Sequence, residues 1–350
     1  ISGETVEVAM LLPLSSPQGG DAIIARSLEN AARLAATEQT GVTINLRVYN
    51  TDGNPATAAT VARQAGQEGA RCLLGPLRSE SAAAVGVAVA NSGVSVLSFS
   101  NNADVAGGNV FVLGNTFANT ANRLVSHAAR QGAGNIVIVH ASNLAGEVAR
   151  DAVRGAAARS GATIAATVPY EFSQTGVINA VPQVVDAVRA NGATGVLLTS
   201  DSAGALPFFA QLLPENGLDL ETVRVMGLTR WDTPPQTLEF AGLQGGWFTV
   251  PDQAALAGFE GRYAAAYGSA PHTLAALAYD GVRAIAETVA ATGRAGGADL
   301  TASSGFQGAG GVFRLLPDGT NQRALAIAQV TENQVAIIDP APRRLGGPGL

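Results

Sequence analysis

Cys72-Leu73-Leu74-Gly75-Pro76-Leu77-Arg78-Ser79-Glu80-Ser81 is the stretch from which the rest of the chain can be read. A short apolar run ends in Gly-Pro, and a Ser- and Ala-rich segment of helical composition follows at once. The run reads as a buried strand. Gly75 supplies a tight turn, and Pro76, with no N–H to donate, stops the strand ladder. Ser79 reads as the N-cap of the next helix, whose first-turn N–H groups favour carboxylates and other anions. In an open α/β sheet, ligands bind outside the carboxyl ends of the strands, and this turn stands at such an end. A capped strand-to-helix turn with no ligand would satisfy the same residues.

Working outward, the same pattern recurs on both sides. Residues 6–12 are an apolar strand closed by Pro13, and 14–20 are a polar, Gly-rich loop. Asp21 reads as the cap of a helix with Ile24, Leu28, Ala31, Ala32 and Ala35 at helical spacing. Residues 43–49 alternate as a strand, and 55–69 read as a helix that leads into the opening strand. After the helix at 79–91, a strand at 94–99 ends in a polar cluster, Ser98, Ser100, Asn101, Asn102 and Asp104. Strands alternating with helices over short connections call for a parallel sheet covered on both faces. From Gly134 the series restarts, with strands at 135–140, 163–168, 195–199 and 223–228 separated by helices. Two strong helices follow, at 253–267 and 271–292, and then a Gly- and Ala-rich loop at 293–304. Asp318-Gly319 and Glu332-Asn333 read as the turns of two late hairpins.

Composition narrows the function classes. At 350 residues with 47% hydrophobic content, the chain has length for two domains and a large core, but no apolar stretch reaches the roughly 18 residues of a membrane span. All 21 basic residues are Arg, which excludes Lys chemistry, a P-loop included. A net charge of −6 argues against a nucleic-acid surface. The single cysteine, Cys72, lies in an apolar run and reads as a core thiol. His127, His140 and His272 are far apart in sequence and read as structural or surface residues, so neither a metal nor a catalytic motif is legible. No cofactor motif is visible either. The first residues carry neither a basic n-region nor an apolar h-region.

The order of the pieces resembles the type I periplasmic binding proteins, in particular the branched-chain amino-acid-binding group. The matching residues are Val8-Ala9-Met10-Leu11-Leu12-Pro13-Leu14-Ser15, Asn50-Thr51-Asp52, Leu74-Gly75-Pro76 with Ser79, Val96-Leu97-Ser98, and Gly305-Phe306-Gln307-Gly308-Ala309-Gly310-Gly311 followed by Asp318-Gly319. The resemblance covers about residues 5–340. It implies an α/β fold of two doubly wound parallel-sheet lobes, joined by three hinge crossings, with an inter-lobe cleft. The crossings are expected near 114–119, 249–252 and 316–323. Lobe one would then be 1–117 plus 251–318, lobe two 118–250 plus 319–340, and 341–350 a flexible tail. Within the superfamily, Ala9–Ser15 and Leu74–Leu77 look more like the penicillin-binding protein activators, and the absence of a disulfide leans the same way.

That resemblance implies a ligand set at the cleft. Lobe one would supply Ser79, Glu80, Ser98, Ser100 and Asn101, and lobe two Asn143, Leu144, Asp201, Ser202, Arg230 and Trp231. Hydroxyls and a helix N-terminus suit a carboxylate, Asp201 suits an ammonium, and Trp231 offers an apolar or cation–π wall. One departure stands against an amino-acid pocket. The family's aromatic before Gly146 is replaced by Ala145, and no aromatic is evident at 202–204.

Two functions follow. The first is a non-catalytic envelope regulator, lipid-anchored through a missing N-terminal segment and partnered with a peptidoglycan synthase. The alternative is a solute receptor of an ABC importer, with a small polar ligand and a permease as partners. Both place the protein in the periplasm, and an enzyme reading finds no nucleophile–base pair.

Overall fold

The computed structural model describes residues 3–346. The chain divides into two compact units, and it passes between them after Thr116, Asp252 and Ala324, with the short segment 343–345 again grouped with the first.

The first unit opens with β1 (Glu4–Leu12), α1 (Asp21–Thr37), β2 (Val42–Asn50), α2 (Pro55–Gln67), β3 (Cys72–Leu74), α3 (Ser79–Ala88), β4 (Ser95–Ser98) and β5 (Val110–Val112). These strands form one all-parallel sheet in the order β2-β1-β3-β4-β5. β3 is buried throughout, as its unbroken apolar run requires of a central parallel strand. Gly75 has φ +103, and a Cβ there would lie 2.4 Å from the Leu11 carbonyl oxygen, so only glycine fits between the ends of β1 and β3. The Gly75–Pro76 peptide is cis.

The second unit continues with α4 (Phe117–Arg130), β6 (Asn135–Ala141), α5 (Leu144–Ser160), β7 (Thr163–Tyr170), α6 (Gln174–Asn191), β8 (Gly195–Leu198), α7 (Leu206–Glu215), β9 (Arg224–Gly227) and β10 (Trp247–Val250). The chain then returns to the first unit as α8 (Gln253–Tyr267), α9 (Ala275–Thr292), β11 (Phe306–Gly308), β12 (Gly311–Leu315) and β13 (Asn321–Arg323), the last three forming an antiparallel sheet. It ends as β14 (Ala326–Thr331) and β15 (Gln334–Asp339), which extend the second sheet to β15-β14-β10-β9-β8-β6-β7. Parallel pairing runs from β7 to β10, and β14 and β15 add antiparallel. This two-lobe α/β architecture is the one expected from the sequence.

Several local expectations shift. The boundary expected at 318/319 falls at 324/325, because Asp318-Gly319 turns β12 back into β13 and keeps 319–324 in the first unit. The loop expected at 293–304 contains a short 3-10 helix, Gly297–Thr301, with Leu300 buried. The second late turn forms as expected, with Glu332 and Asn333 both at positive φ between β14 and β15. Of the tail expected at 341–350, residues 347–350 lie outside the described residues.

Candidate functional site

In each sheet the strand order reverses at one point, between β1 and β3 in the first unit and between β6 and β8 in the second. The crevice outside the carboxyl ends of those strands is where a doubly wound sheet accepts ligands. The candidate residues are therefore those that follow β1, β3 and β4 in one unit and β6, β8 and β9 in the other.

In the first unit, Ser79 occupies the first helical position of α3, not the N-cap expected for it. Arg78 holds the cap position in extended conformation and makes no side-chain capping bond. The Ser79 hydroxyl has no hydrogen bond among the described residues, so it and the first-turn N–H groups of α3 remain open to a ligand anion. Ser98 differs. It is fully buried, its hydroxyl donates to the Pro76 carbonyl at 3.2 Å, and it accepts from the Ser100 N–H at 3.0 Å. It fastens the Gly75-Pro76 turn, and with its proton already donated and its side chain fully buried it offers no donor to a ligand. Ser100 accepts from the Asn102 N–H at 3.0 Å and keeps its own O–H to donate. Asn101 and Glu80 are exposed, and Glu80 sits in the first turn of α3, where a carboxylate favours the helix dipole and opposes an incoming anion.

Two charged residues missing from the sequence-derived set belong to this face. Asp21 begins α1, with Gly20 at φ 89 in the cap position, so it is not the cap its spacing suggested. It is 1% exposed, accepts from the Ser16 hydroxyl at 2.8 Å, and pairs with the guanidinium of Arg78. Arg78 is thereby held at the start of α3 with 42% of its side chain exposed. No local motif could have shown this, because the partners are 57 residues apart. Beside them Asn50 accepts from the N–H groups of Leu14 and Asp52, at 3.0 Å each, and donates to the Ser15 hydroxyl at 2.7 Å. That network satisfies itself and fixes the loop after β1.

In the second unit, Asn143 is the N-cap of α5 and accepts from the Gly146 N–H at 2.8 Å. Leu144 follows it, 75% exposed. Asp201 stands three residues past β8, and its carboxylate has no hydrogen bond or ion pair among the described residues. Burial pushes the nearby Tyr170 phenol up to about 12, with the Ser200 hydroxyl opposing and the Asp201 charge adding to the shift. Ser202 donates to the Thr233 carbonyl at 3.2 Å. Arg230 makes a two-pronged pair with Asp232, both bonds 2.6 Å, which uses two of the five guanidinium N–H donors and neutralises the charge. Trp231 is the clear departure from expectation. It is 0% exposed, its ring lies 5.5 Å from that of Phe248, and a Cβ on Gly227 would strike its Nε1 at 2.3 Å. It fills the core behind β9 and forms no ligand wall.

The histidines are structural or surface groups in their surroundings. His127 packs edge-on to Trp247 at 4.8 Å and reaches Asp339 at 3.3 Å, and buried His140 contacts the Ala141 carbonyl at 2.9 Å. His272 accepts from the Leu274 N–H at 3.1 Å. Among the described residues, no three His, Cys, Asp or Glu are placed to hold a metal ion, and no helix is long and apolar enough to cross a membrane.

The fold has many counterparts among solved structures. A branched-chain amino acid ABC transporter periplasmic ligand-binding protein from Burkholderia xenovorans is 19% identical, with 98% of this chain and 96% of that one covered at a TM-score of 0.74. An ABC transporter substrate-binding protein from Desulfitobacterium hafniense, solved with Leu, is 18% identical over 96% of this chain and 100% of that one, at 0.70. An ABC transporter solute-binding protein from Rhodopseudomonas palustris, solved with 3,4-dihydroxybenzoic acid, is 17% identical over 96% of each chain, at 0.65. No curated protein matches the sequence. At these identities the likeness establishes the shared fold. The sequence itself matches the family model described as periplasmic binding protein over residues 5–334, from the first strand to the start of the last. The chain belongs to the periplasmic binding protein family.

Proposed function

We propose that this protein is a solute receptor of an ABC importer, working in the periplasm and binding a small ligand that carries a carboxylate. The observation that carries this reading is the start of α3. Ser79 has an uncommitted hydroxyl, the first-turn N–H groups lack a side-chain cap, and Arg78 is held at the same helix start. Such an assembly of donors and positive charge suits a carboxylate. Ser100, at the end of the neighbouring strand β4, keeps a hydroxyl proton to donate. On the second unit's own face, Asp201 offers an acceptor to an ammonium group.

The names of the structural relatives support this reading over that of a regulator of peptidoglycan synthesis, since they are transport binding proteins, and two were solved with small carboxylic acids. A lipid anchor and a peptidoglycan synthase partner find no support in them. The test is a thermal-shift screen of the full chain against amino acids and small aromatic acids. A receptor gains about 2.7 kcal/mol of apparent stability at a ligand concentration a hundred times Kd. A screen with no shift at millimolar ligand, together with stimulation of a peptidoglycan synthase by the protein, would return the regulator reading.

A further inference from the structure

The second unit's crevice has a carboxylate at Asp201 but lacks the aromatic wall expected there, because position 145 is Ala and Trp231 is buried in the core. We infer that Phe172 supplies that wall and that, with Asp201, it selects ligands combining an ammonium group with an apolar body. The inference rests on the solute-receptor reading.

The geometry comes from three strand ends. Phe172 follows the edge strand β7, two residues past Tyr170, and is 68% exposed although it is a large apolar ring. Single exposed hydrophobes are ordinary, and exposure alone says little. What singles out Phe172 is where its ring goes. β7 is separated from β8 by β6, yet the ring reaches the loop after β8. A methyl group built on Gly204 would stand 3.4 Å from Cε2 and 3.5 Å from Cζ of Phe172, and 3.0 Å from Oδ1 of Asp201. The ring and the carboxylate thus line one methyl-sized space that exists because residue 204 has no side chain. Gly204 is not at positive φ, so its backbone conformation does not itself demand glycine. Leu144, 75% exposed, begins α5 three residues past β6, the strand that lies between β7 and β8.

A carboxylate beside an aromatic ring holds an ammonium by charge and by cation–π attraction, and the ring covers the adjoining hydrocarbon. An acid without an amine leaves Asp201 facing it unpaired, which opposes binding. The pair therefore favours an acid that carries an amine over one that lacks it.

The experiment is calorimetric titration of the full-length wild type and the Phe172→Ala, Phe172→Tyr, Asp201→Asn and Gly204→Ala variants with L-leucine, L-phenylalanine, L-arginine and 3,4-dihydroxybenzoate. Apo melting temperatures serve as a folding control. The wild type is expected to bind at least one of the amino acids. Phe172→Ala, Asp201→Asn and Gly204→Ala should each weaken that binding by about tenfold or more, about 1.4 kcal/mol. Phe172→Tyr should retain it. Gly204→Ala keeps both side chains and only fills the space between them, so its effect does not depend on losing either group. If the wild type binds an amino acid and all the variants bind it equally well, the role of Phe172 is overturned while the receptor reading stands. If it binds only the dihydroxybenzoate, with Asp201→Asn neutral or tighter, the ammonium preference is overturned and the receptor reading again stands. If it binds none of the four, this inference falls, and a wider screen decides the receptor reading.

Discussion

Replacing Arg323 with Met should destabilise the first unit more than any surface ion-pair change. Asp280 is 1% exposed and the Arg323 side chain 12%, and the two meet at 2.7 Å. The other oxygen of Asp280 accepts from the Ala309 N–H at 2.7 Å. Arg323 also donates from Nε to the Leu113 carbonyl at 3.0 Å, with Nη2 on the same oxygen, and it lies 4.8 Å over the Phe313 ring. One side chain thus joins α9, β12, β13 and the end of β5; Leu113 stands three residues before the chain first leaves this unit, and Arg323 one residue before the crossing at 324/325. Met keeps much of the hydrocarbon over Phe313 but strands a buried carboxylate and removes both guanidinium donors from the Leu113 carbonyl. Breaking a buried pair by removing one partner costs about 3–5 kcal/mol. For a domain of 150–250 residues each kcal/mol moves Tm by about 2–4 °C, so the drop should be about 6–20 °C by calorimetry.

The double variant separates this mechanism from a simple packing loss. Asp280→Asn with Arg323→Met leaves no buried charge, and Asn can still accept from Ala309. It should be more stable than the sum of the two single losses predicts, by about 1 kcal/mol or more. A Tm drop under about 3 °C for Arg323→Met, or strict additivity in the double variant, would refute the assignment of the pair as the anchor of these segments.

Ser79→Ala should weaken carboxylate ligands about tenfold or more while leaving the apo Tm unchanged, since Ser79 makes no capping bond to lose; a drop in apo Tm would contradict the observed cap. Burial pushes the Cys72 thiol up to about 12, so a disulfide reagent at pH 8 should label it only once urea unfolds the chain; labelling of the native protein would place the thiol elsewhere. Burial holds the His127 imidazole below its ordinary value of 6.5 against the opposing charge of Asp339, so its contribution is full above 6.5 and is lost as pH falls toward the folded value. For Asp339, burial raises the pKa but the Arg123 hydrogen bond and charge outweigh it, so this contribution is present above 3.8 and is lost as pH falls through the lowered folded value. Both act in one direction. The urea midpoint should therefore fall below pH 6.5 through His127 and again below pH 3.8 through Asp339, and His127→Phe should flatten the first part; a midpoint that rises on acidification would refute the assignment.

Strands were legible where burial acts on every residue, as in Cys72-Leu73-Leu74, and turns were legible where backbone conformation dictates the residue, as at Gly75 and Asp318-Gly319. Direction and partnership were not. Ser79 carries the signature of a cap, but the cap position went to Arg78, because Asp21 on another helix holds the guanidinium there. Trp231 follows a strand end as a ligand wall would, yet it turns inward onto Gly227 and Gly246, which leave room for an indole. The boundary at 324 depends on β13 pairing with β12, and no property of residues 319–324 shows which unit they join. The aromatic missing at position 145 has a candidate replacement 27 positions later, in the loop after a different strand, beside a glycine in the loop after a third. In each case the sequence displays the residue types and the fold decides which of them meet. The turn at Gly75-Pro76 shows why this matters for function. The positive charge beside the uncapped start of α3 comes from Arg78, inside the very stretch that reveals the fold, and its orientation comes from Asp21 on another helix. A family motif can thus mark the fold faithfully while the orientation of its charged side chain is set by a neighbour outside it.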